Sequence, residues 1–223
     1  MIICDLGNDR WSRNDYILVK VDKIFYFCNV IYINTHPEAL NINAALGRVS
    51  PQRRDAALRY LHESDRKLSL AVFLLLQEAL EKEYGITQPP ELSFGPHGKP
   101  FLRDYPHIHF NLSHCSCAAL CVVSDAPVGC DVETVQKTLD MDLCSHCCSP
   151  QELREILSSA HPELAFCALW TRKEAFLKWT GEGLSDRLPD LLSTPEAATA
   201  HFETHLSPDA SFAYSLCRGK NIA

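Results

Sequence analysis

Two short runs of the chain carry acidic and basic side chains at spacings that suit phosphate chemistry. Asp131 and Glu133 lie two residues apart in the run from Val128 to Glu133, which is typical of a strand. Side chains alternate across a strand, so the two carboxylates share one face. Glu174 and Lys178 lie four residues apart and stack on one face of a helix. Three carboxylates beside a lysine predict a divalent cation and a phosphate-bearing substrate.

Each pair also has an ordinary interpretation. Two acids on one strand face are commonly that strand's solvated side. Glutamate four residues before lysine is a frequent surface ion pair, worth roughly 0.2–0.5 kcal/mol. Gly129 shares the strand face of the acids, where glycine admits the close approach of another backbone or of a ligand. Trp170 and Leu177 lie on the helix side that carries Glu174 and Lys178, which predicts a partly buried edge.

Three further segments carry candidate binding groups, and each also has an ordinary structural interpretation. Ser113 and His114 end a buried strand and can meet phosphate oxygens, or they form a capped polar turn. No nucleophile-elbow motif accompanies them, which argues against a Ser/His hydrolase. The loop from Gly95 to Pro100 can grip a nucleobase edge through its backbone, or its lysine is solvated. Arg53 lies in the first turn of a helix begun by Ser50, where arginine and free N–H groups can hold a phosphate, although a solvated basic face is the alternative.

Composition excludes some classes of protein. The chain has 223 residues, 46% of them hydrophobic, which suffices for one large domain or two small ones with a substantial core. The net charge of -7 argues against a nucleic-acid partner. The apolar run from Tyr16 to Ile33 is interrupted by charges, which argues against a membrane span. The 11 cysteines follow no secretory signal and predict a reduced cytoplasmic protein. The cysteines from Cys144 to Cys148 lack the second ligand pair of a zinc finger.

The order of predicted elements is strands, helices, strands, helices and a final strand. This order favours an α+β fold with antiparallel sheets over a doubly wound parallel sheet. Serine followed by proline begins helices at Ser50 and Ser149, and Gly85 ends a helix that starts near Ser64. The strand over 118–123 and the strand over 128–133 are predicted to form an antiparallel hairpin. Residues 134–150 are predicted to be irregular, and 181–208 to be rich in loops.

Taken in order, these pieces resemble the 4′-phosphopantetheinyl transferase superfamily, in its larger type that activates peptide and polyketide synthetases such as surfactin synthetase. The matching pieces are Gly98-Lys99-Pro100, Phe110 to His114, Val128 to Glu133, Trp170 to Ala175 with Lys178, and Gly181-Glu182-Gly183. The resemblance covers about Ser50 to Cys217. The chain departs from the family pattern by about twenty additional N-terminal residues and by Ala56, which stands where a second lysine is expected.

The resemblance implies a pseudo-dimer of two similar α+β halves in one compact unit, with the active site at their interface. Residues 1–115 would form the half with the basic helix and the adenine-side loop, and residues 116–223 the half with the metal-binding strand and the Trp170 helix. The implied enzyme is a holo-[acyl-carrier-protein] synthase, or 4′-phosphopantetheinyl transferase. It would move the phosphopantetheine arm of coenzyme A, its co-substrate, to a serine of an apo acyl or peptidyl carrier protein, and would release adenosine 3′,5′-bisphosphate.

The resemblance also assigns roles to residues and names partners. The implied metal ion is Mg²⁺, with Mn²⁺ as the alternative, and the implied state is a cytoplasmic monomer without nucleic-acid or membrane partners. The metal ligands would be Asp131, Glu133 and Glu174, and the catalytic residues would be Glu174, as general base, and Lys178, at the pyrophosphate. The coenzyme A contacts would be Arg53, Gly98, Lys99, Pro100, Ser113, His114 and Lys178. A non-catalytic module that binds coenzyme A or a carrier protein is the alternative function.

Overall fold

The computed structural model describes residues 16–20, 30–183 and 188–220. Its strands are β1 (Tyr16–Lys20), β2 (Val30–Asn34), β3 (Leu92–Phe94), β4 (Pro100–Leu102), β5 (His109–Cys115), β6 (Ala118–Ser124), β7 (Val128–Thr134), β8 (Ala200–Leu206) and β9 (Phe212–Gly219). Its helices are α1 (Ile42–Leu46), α2 (Pro51–Leu58), α3 (Glu63–Tyr84), α4 (Met141–Cys147), α5 (Pro150–Ser158), α6 (Pro162–Thr180) and α7 (Pro195–Ala198). Short 3₁₀ turns cover Pro37–Ala39 and Leu188–Ser193.

The strands of the described segments form three antiparallel sheets, which confirms the predicted α+β class. Their orders are β1-β2-β6-β5, β3-β4 and β7-β9-β8. The predicted hairpin of β6 and β7 is wrong, because β6 pairs with β2 and β5 while β7 pairs with β9. Every residue of β6 is buried, and both of its edges are already paired. The chain therefore leaves the first sheet after β6 and starts another.

Side chains of β5 join the four-stranded sheet to the three-stranded sheet. The backbone N–H of Cys130 donates to Asn111 Oδ1 at 2.9 Å, and that of Val132 donates to Ser113 Oγ at 3.3 Å. Both pairs are 19 residues apart in sequence, so β5 and β7 run in the same direction. The last strand of one sheet thus adjoins the first strand of the other, with Ser113 at the junction.

Each of the two larger sheets is covered by one long helix. The buried face of α3 packs with residues of β2, β5 and β6 in the largest core cluster. Helix α3 ends at Gly85, whose φ of 69° is in the left-handed region that glycine adopts readily, as predicted. Helix α6 packs against β7 and β9. The two long helices therefore lie against the two sheets that meet at β5 and β7.

The predicted helix starts are confirmed, and two segments were assigned wrongly. The side chains of Ser50 and Ser149 accept hydrogen bonds from the third helical residue of α2 and of α5. The segment predicted as irregular contains α4, which Asp140 caps by accepting from two backbone N–H groups at 3.0 Å. The segment predicted as loop-rich contains β8, an edge strand whose residues are mostly exposed, so its apolar alternation is weak.

The predicted division after residue 115 falls at the end of β5, just before the two-residue turn to β6, and β6 lies in the same sheet as β5. The division into two similar halves stays a prediction. Part of the apolar run from Tyr16 to Ile33 lies outside the described residues. Within the described segments, no helix is both long enough and apolar enough to cross a membrane.

Candidate active site

A lysine, an aspartate and a serine from three elements meet where the two larger sheets adjoin. Lys178 of α6 donates to Asp131 Oδ1 of β7 at 2.6 Å and to Ser113 Oγ of β5 at 3.0 Å. Ser113 Oγ in turn donates to the same carboxylate oxygen at 2.8 Å. The Asp131 side chain is 4% exposed and the Lys178 side chain 29%, so solvent reaches this ion pair from the lysine's side. All three residues were predicted from the sequence to be site residues, and the structure brings them into contact.

The second oxygen of the buried aspartate has no partner. Asp131 Oδ2 lies out of contact with solvent and has no hydrogen bond within the described structure. An unpartnered carboxylate oxygen that is buried carries a large desolvation cost. A carboxylate oxygen of this kind, beside Lys178, is the type of ligand that suits Mg²⁺.

Two further carboxylates, Glu133 and Glu174, lie close enough to Asp131 for its charge to raise their pKa values. Burial, followed by the charge of Asp131, raises the pKa of Glu133 to about 7, and Glu174 adds to the increase. Burial and the charge of Asp131 also raise the pKa of Glu174. Burial lowers the pKa of Lys178, but the charges of Asp131 and Glu174 outweigh it and leave that pKa above its usual value. The site thus holds more carboxylate than one ammonium can neutralise.

The described residues do not contain a formed metal site. In these segments no group of three or more His, Cys, Asp or Glu side chains has the arrangement of a metal-ion cage. The residues nevertheless fit a divalent cation in their chemistry, because Asp131 Oδ2 is unpartnered and Glu133 and Glu174 are destabilised as anions. The ligand set of three carboxylates stays a prediction.

Gly129 sets the distance between α6 and β7. A Cβ atom at this position would lie 2.1 Å from the Ala175 carbonyl oxygen and 2.4 Å from the Trp179 backbone nitrogen. The helix therefore packs on the strand backbone itself, as its place on the acid-bearing face predicted. This close approach carries Lys178 to Asp131 and holds Glu174 on the same side of the strand.

The helix that carries Glu174 and Lys178 ends in a tight turn. Gly181, with a φ of 76°, caps α6, and its backbone N–H donates to the Leu177 carbonyl at 2.8 Å. Among the described carboxylates, Asp131 alone lies within 4.0 Å of the Lys178 ammonium. The surface pairing of Glu174 with Lys178, left open from sequence, is thus replaced by an ion pair between helix and strand.

Lys99 fastens the Gly95–Pro100 loop to the end of α6. Its ammonium donates to the Trp179 carbonyl at 3.1 Å and to the Val128 carbonyl at 3.3 Å, and burial lowers its pKa. Gly98 has a φ of 80° in the turn before it. Lys99, Pro100 and Val128 border a cavity of about 320 Å³ with a mainly apolar lining. The loop thus lies beside α6, and its lysine contacts backbone oxygens.

His114 lies near the C-terminal end of β5, whereas this cavity is bordered by the N-terminal end of the strand, and the charge of Arg53 acts on His114. The Arg53 guanidinium donates to the backbone carbonyl and the hydroxyl of Ser69 and lies over the Phe73 ring, 5.4 Å from its centroid. Its Nε is buried without a partner. His114 is exposed and lines a cavity of about 460 Å³ with residues from the start of α3. Arg53 Nε therefore has no hydrogen-bond partner in the described structure, and His114 is accessible to solvent.

Lys173 was not predicted as a functional residue, although it precedes Glu174 in the motif. Its side chain is 1% exposed, and its ammonium donates to Glu152 at 2.7 Å and to the carbonyls of Cys147 and Leu188, each at 2.8 Å. It therefore connects the last residue of α4 and the first turn of α5 to α6. Nothing in the local sequence distinguishes Lys173 from a surface lysine, because its acceptors come from distant segments.

Comparison with known proteins assigns the chain to a family. Residues 127–220 match the sequence model of the 4′-phosphopantetheinyl transferase superfamily. A 4′-phosphopantetheinyl transferase of Bacillus subtilis is 32% identical over 160 residues, which cover 70% of each chain. The chain belongs to the 4′-phosphopantetheinyl transferase superfamily. Two further members are the transferase psf-1 of Bacillus pumilus, 34% identical over 75% of this chain and 74% of that one, and AcpT of Salmonella typhi, 30% identical over 68% and 83%.

The segment that matches the superfamily includes the candidate site residues of β7 and of α6. The matched segment contains Asp131 and Glu133 on β7, and Glu174 and Lys178 on α6. Ser113, on β5, lies before the matched segment. The family assignment made from the sequence motifs is confirmed.

Proposed function

We propose that this member of the superfamily is a 4′-phosphopantetheinyl transferase. It moves the phosphopantetheine arm of coenzyme A to a serine hydroxyl of an apo carrier protein and releases adenosine 3′,5′-bisphosphate. The observation that carries this proposal is the contact of Lys178, Asp131 and Ser113 beside two destabilised carboxylates. Transfer between phosphate esters requires positioning and charge neutralisation more than covalent catalysis. This cluster supplies both.

Asp131, Glu133 and Glu174 are the residues that would hold the metal ion, Mg²⁺ or Mn²⁺. Bound there, the ion would supply neutralisation of the pyrophosphate charge. The unpartnered Asp131 Oδ2 and the raised pKa values of both glutamates support this assignment. Lys178 contacts the pyrophosphate and stabilises the negative charge that develops on the departing bisphosphate.

The nucleotide of coenzyme A lies along β5. Ser113 and His114 contact its phosphates, and the half-buried Arg53, whose charge acts on His114, supplies a further positive charge. Gly98, Lys99 and Pro100 hold the adenine, and the apolar cavity of about 320 Å³ beside them supports this placement. Because Lys99 already donates to two carbonyls, it acts through the loop's position rather than as a phosphate ligand.

Glu174 is the general base that accepts the proton of the carrier serine. A base works best when its pKa lies near the operating pH, and burial raises that of Glu174 toward this range. Glu133 is the second candidate, because its pKa of about 7 meets the same requirement. The pseudo-dimeric relation of the two sheets, the monomeric state and the absence of a nucleic-acid partner belong to the same proposal.

The test of the function is direct. The protein is incubated with coenzyme A, Mg²⁺ and apo carriers from fatty-acid, polyketide and peptide synthesis, and each carrier is weighed by mass spectrometry. A carrier heavier by one phosphopantetheine group supports the transferase. Binding of coenzyme A without any modified carrier would instead favour the non-catalytic module.

The base assignment is tested with matched variants. We expect Glu174→Gln to bind coenzyme A as wild type does and to lose turnover, and Glu133→Gln to weaken the response to metal more than the rate at saturating metal. Glu155→Gln, on the exposed face of α5, removes the same charge away from the site and should be silent. Equal activity of Glu174→Gln and wild type would refute the assignment.

A further inference from the structure

Two thiols lie side by side where β5 ends and the turn that follows it begins. Cys115 is the last residue of β5, Ala118 is the first of β6, and Ser116 and Cys117 form the turn between them. The two sulfur atoms are 3.7 Å apart. Cys115 is buried, whereas Cys117 is half-buried, unlike the other described cysteines, all of which are buried. The pair therefore joins a sheltered thiol to one that solvent reaches.

The turn is fastened to the end of β7. The Thr134 hydroxyl lies 2.9 Å from Ser116 Oγ and 3.4 Å from Cys117 Sγ, within hydrogen-bond distance of both. Thr134 directly follows Glu133, and Cys115 directly follows His114. A change in the position of Cys117 is thus transmitted to both strands of the candidate active site.

We propose that Cys115 and Cys117 are an oxidation site at which a peroxide converts two neighbouring thiols into an intramolecular disulfide. The Cys117 thiolate attacks one peroxide oxygen, so an S–O bond forms, the O–O bond breaks and one water leaves after protonation. Cys115 then attacks the resulting sulfenic sulfur, so the S–S bond forms and a second water leaves. Two thiols and one hydrogen peroxide give one disulfide and two waters.

The geometry gives the two thiols different roles. Burial raises the pKa of Cys115 to about 11, so this thiol is protonated at neutral pH and is a poor first nucleophile. Cys117 is the more accessible thiol, and its sulfur needs to leave only the Thr134 hydroxyl to reach Cys115. A disulfide has an S–S length of about 2.0 Å, so the two sulfurs approach each other by less than one atomic diameter.

The consequence for activity rests on the proposed function. Closing the disulfide removes the contact of Cys117 with Thr134. It also changes the conformation of the turn that follows β5, and so the position of Ser113 and His114 at the end of that strand. Because small displacements of positioning groups cost much of the rate, we expect a several-fold, thiol-reversible loss of transferase activity.

The site is tested first by mass, without reference to activity. The whole chain is treated with hydrogen peroxide, free thiols are alkylated, and the digested peptides are weighed. We expect a peptide that contains Cys115 and Cys117, lighter than its dithiol form by two hydrogens and unalkylated, while the fully buried Cys121 stays reduced. Alkylation of both thiols after peroxide, or a disulfide from either of them to another cysteine, would overturn the proposal.

Variants then separate this site from general oxidation. Cys117→Ser changes a half-buried turn residue conservatively and should prevent both the disulfide and the loss of activity. Thr134→Val removes the hydroxyl that holds the thiol, and we expect it to form the disulfide faster. An equal loss of activity in wild type and Cys117→Ser would refute the regulatory consequence. If the reduced protein modifies no carrier, the proposed function fails, but the peptide masses still decide whether the oxidation site exists.

Discussion

Substitution of Gly129 by alanine should disable the site by moving a helix. The new Cβ would lie 2.1 Å from the Ala175 carbonyl oxygen, whereas ordinary contacts begin at 3.4 Å, so the helix must retreat by roughly 1.3 Å. It would also lie 2.4 Å from the Trp179 nitrogen. Both obstacles are backbone atoms, which rotamer changes cannot clear. The whole of α6 must therefore shift or tilt away from β7.

The expected magnitudes follow from this displacement. Overpacking costs about 1–3 kcal/mol, and we expect the upper end because no flexible side chain yields. For a chain of this length, about 3 kcal/mol corresponds to a Tm lower by roughly 6–12 °C. The same shift pulls Lys178 from its 2.6 Å contact with Asp131. Misplacement by about 1 Å costs on the order of a hundredfold in rate.

The assay pairs calorimetry with carrier modification, and a second glycine supplies the control. An alanine Cβ at Gly219 would meet only the Trp179 ring, at 3.6 Å, which is an ordinary contact with the same helix. Gly219→Ala should therefore retain the Tm and rate of wild type. If Gly129→Ala also matched wild type in both measurements, the claim that close helix packing positions Lys178 would be wrong.

Two further predictions concern buried charges. Lys173→Met should lower the free energy of unfolding by about 3–5 kcal/mol in urea titrations, because Glu152 loses its buried partner. Lys82→Met breaks an exposed pair with Glu78 and should cost about 0–1 kcal/mol, and equal losses would contradict the buried role. Because the folded pKa of Glu133 is raised from 4.5 to about 7, its contribution to stability is complete below about pH 4.5 and is lost as the pH rises toward 7. Mg²⁺ should therefore raise the Tm more at pH 8 than at pH 6, and a pH-independent increase would count against Glu133 as a ligand.

Local sequence patterns predicted most of the elements because each has a short-range signal. Ser50 and Ser149 are helix caps whose partners lie three residues ahead, and Gly85 ends α3 through its own backbone conformation. The two misassigned segments lack such signals. Helix α4 is only seven residues long, and β8 is an exposed edge strand with little apolar alternation.

The contacts of the candidate site could be predicted from the sequence less completely than the helices and strands. Sequence spacing placed Glu174 and Lys178 on one helix face, which is correct, but it offered glutamate as the lysine's partner. The partner is Asp131, 47 residues away, because Gly129 lets the helix lie on the strand backbone. The hairpin error has the same origin. A short connection between two strands predicted pairing, but the partners of β6 were already supplied by β2 and β5, which no local pattern encodes.

The end of α6 connects the two regions proposed to bind coenzyme A. Lys99 donates to the Trp179 carbonyl in its last turn and to the Val128 carbonyl at the start of β7. Trp179 follows Lys178 directly. The loop proposed to hold adenine therefore contacts the same helical turn that carries the lysine proposed to contact the pyrophosphate. A displacement of the loop therefore displaces the helix end, so in the proposed function one element would position both the base end and the phosphate end of the nucleotide. The half-buried Lys99 ammonium, whose desolvation those two carbonyls offset, is the physical reason that the two regions stay together.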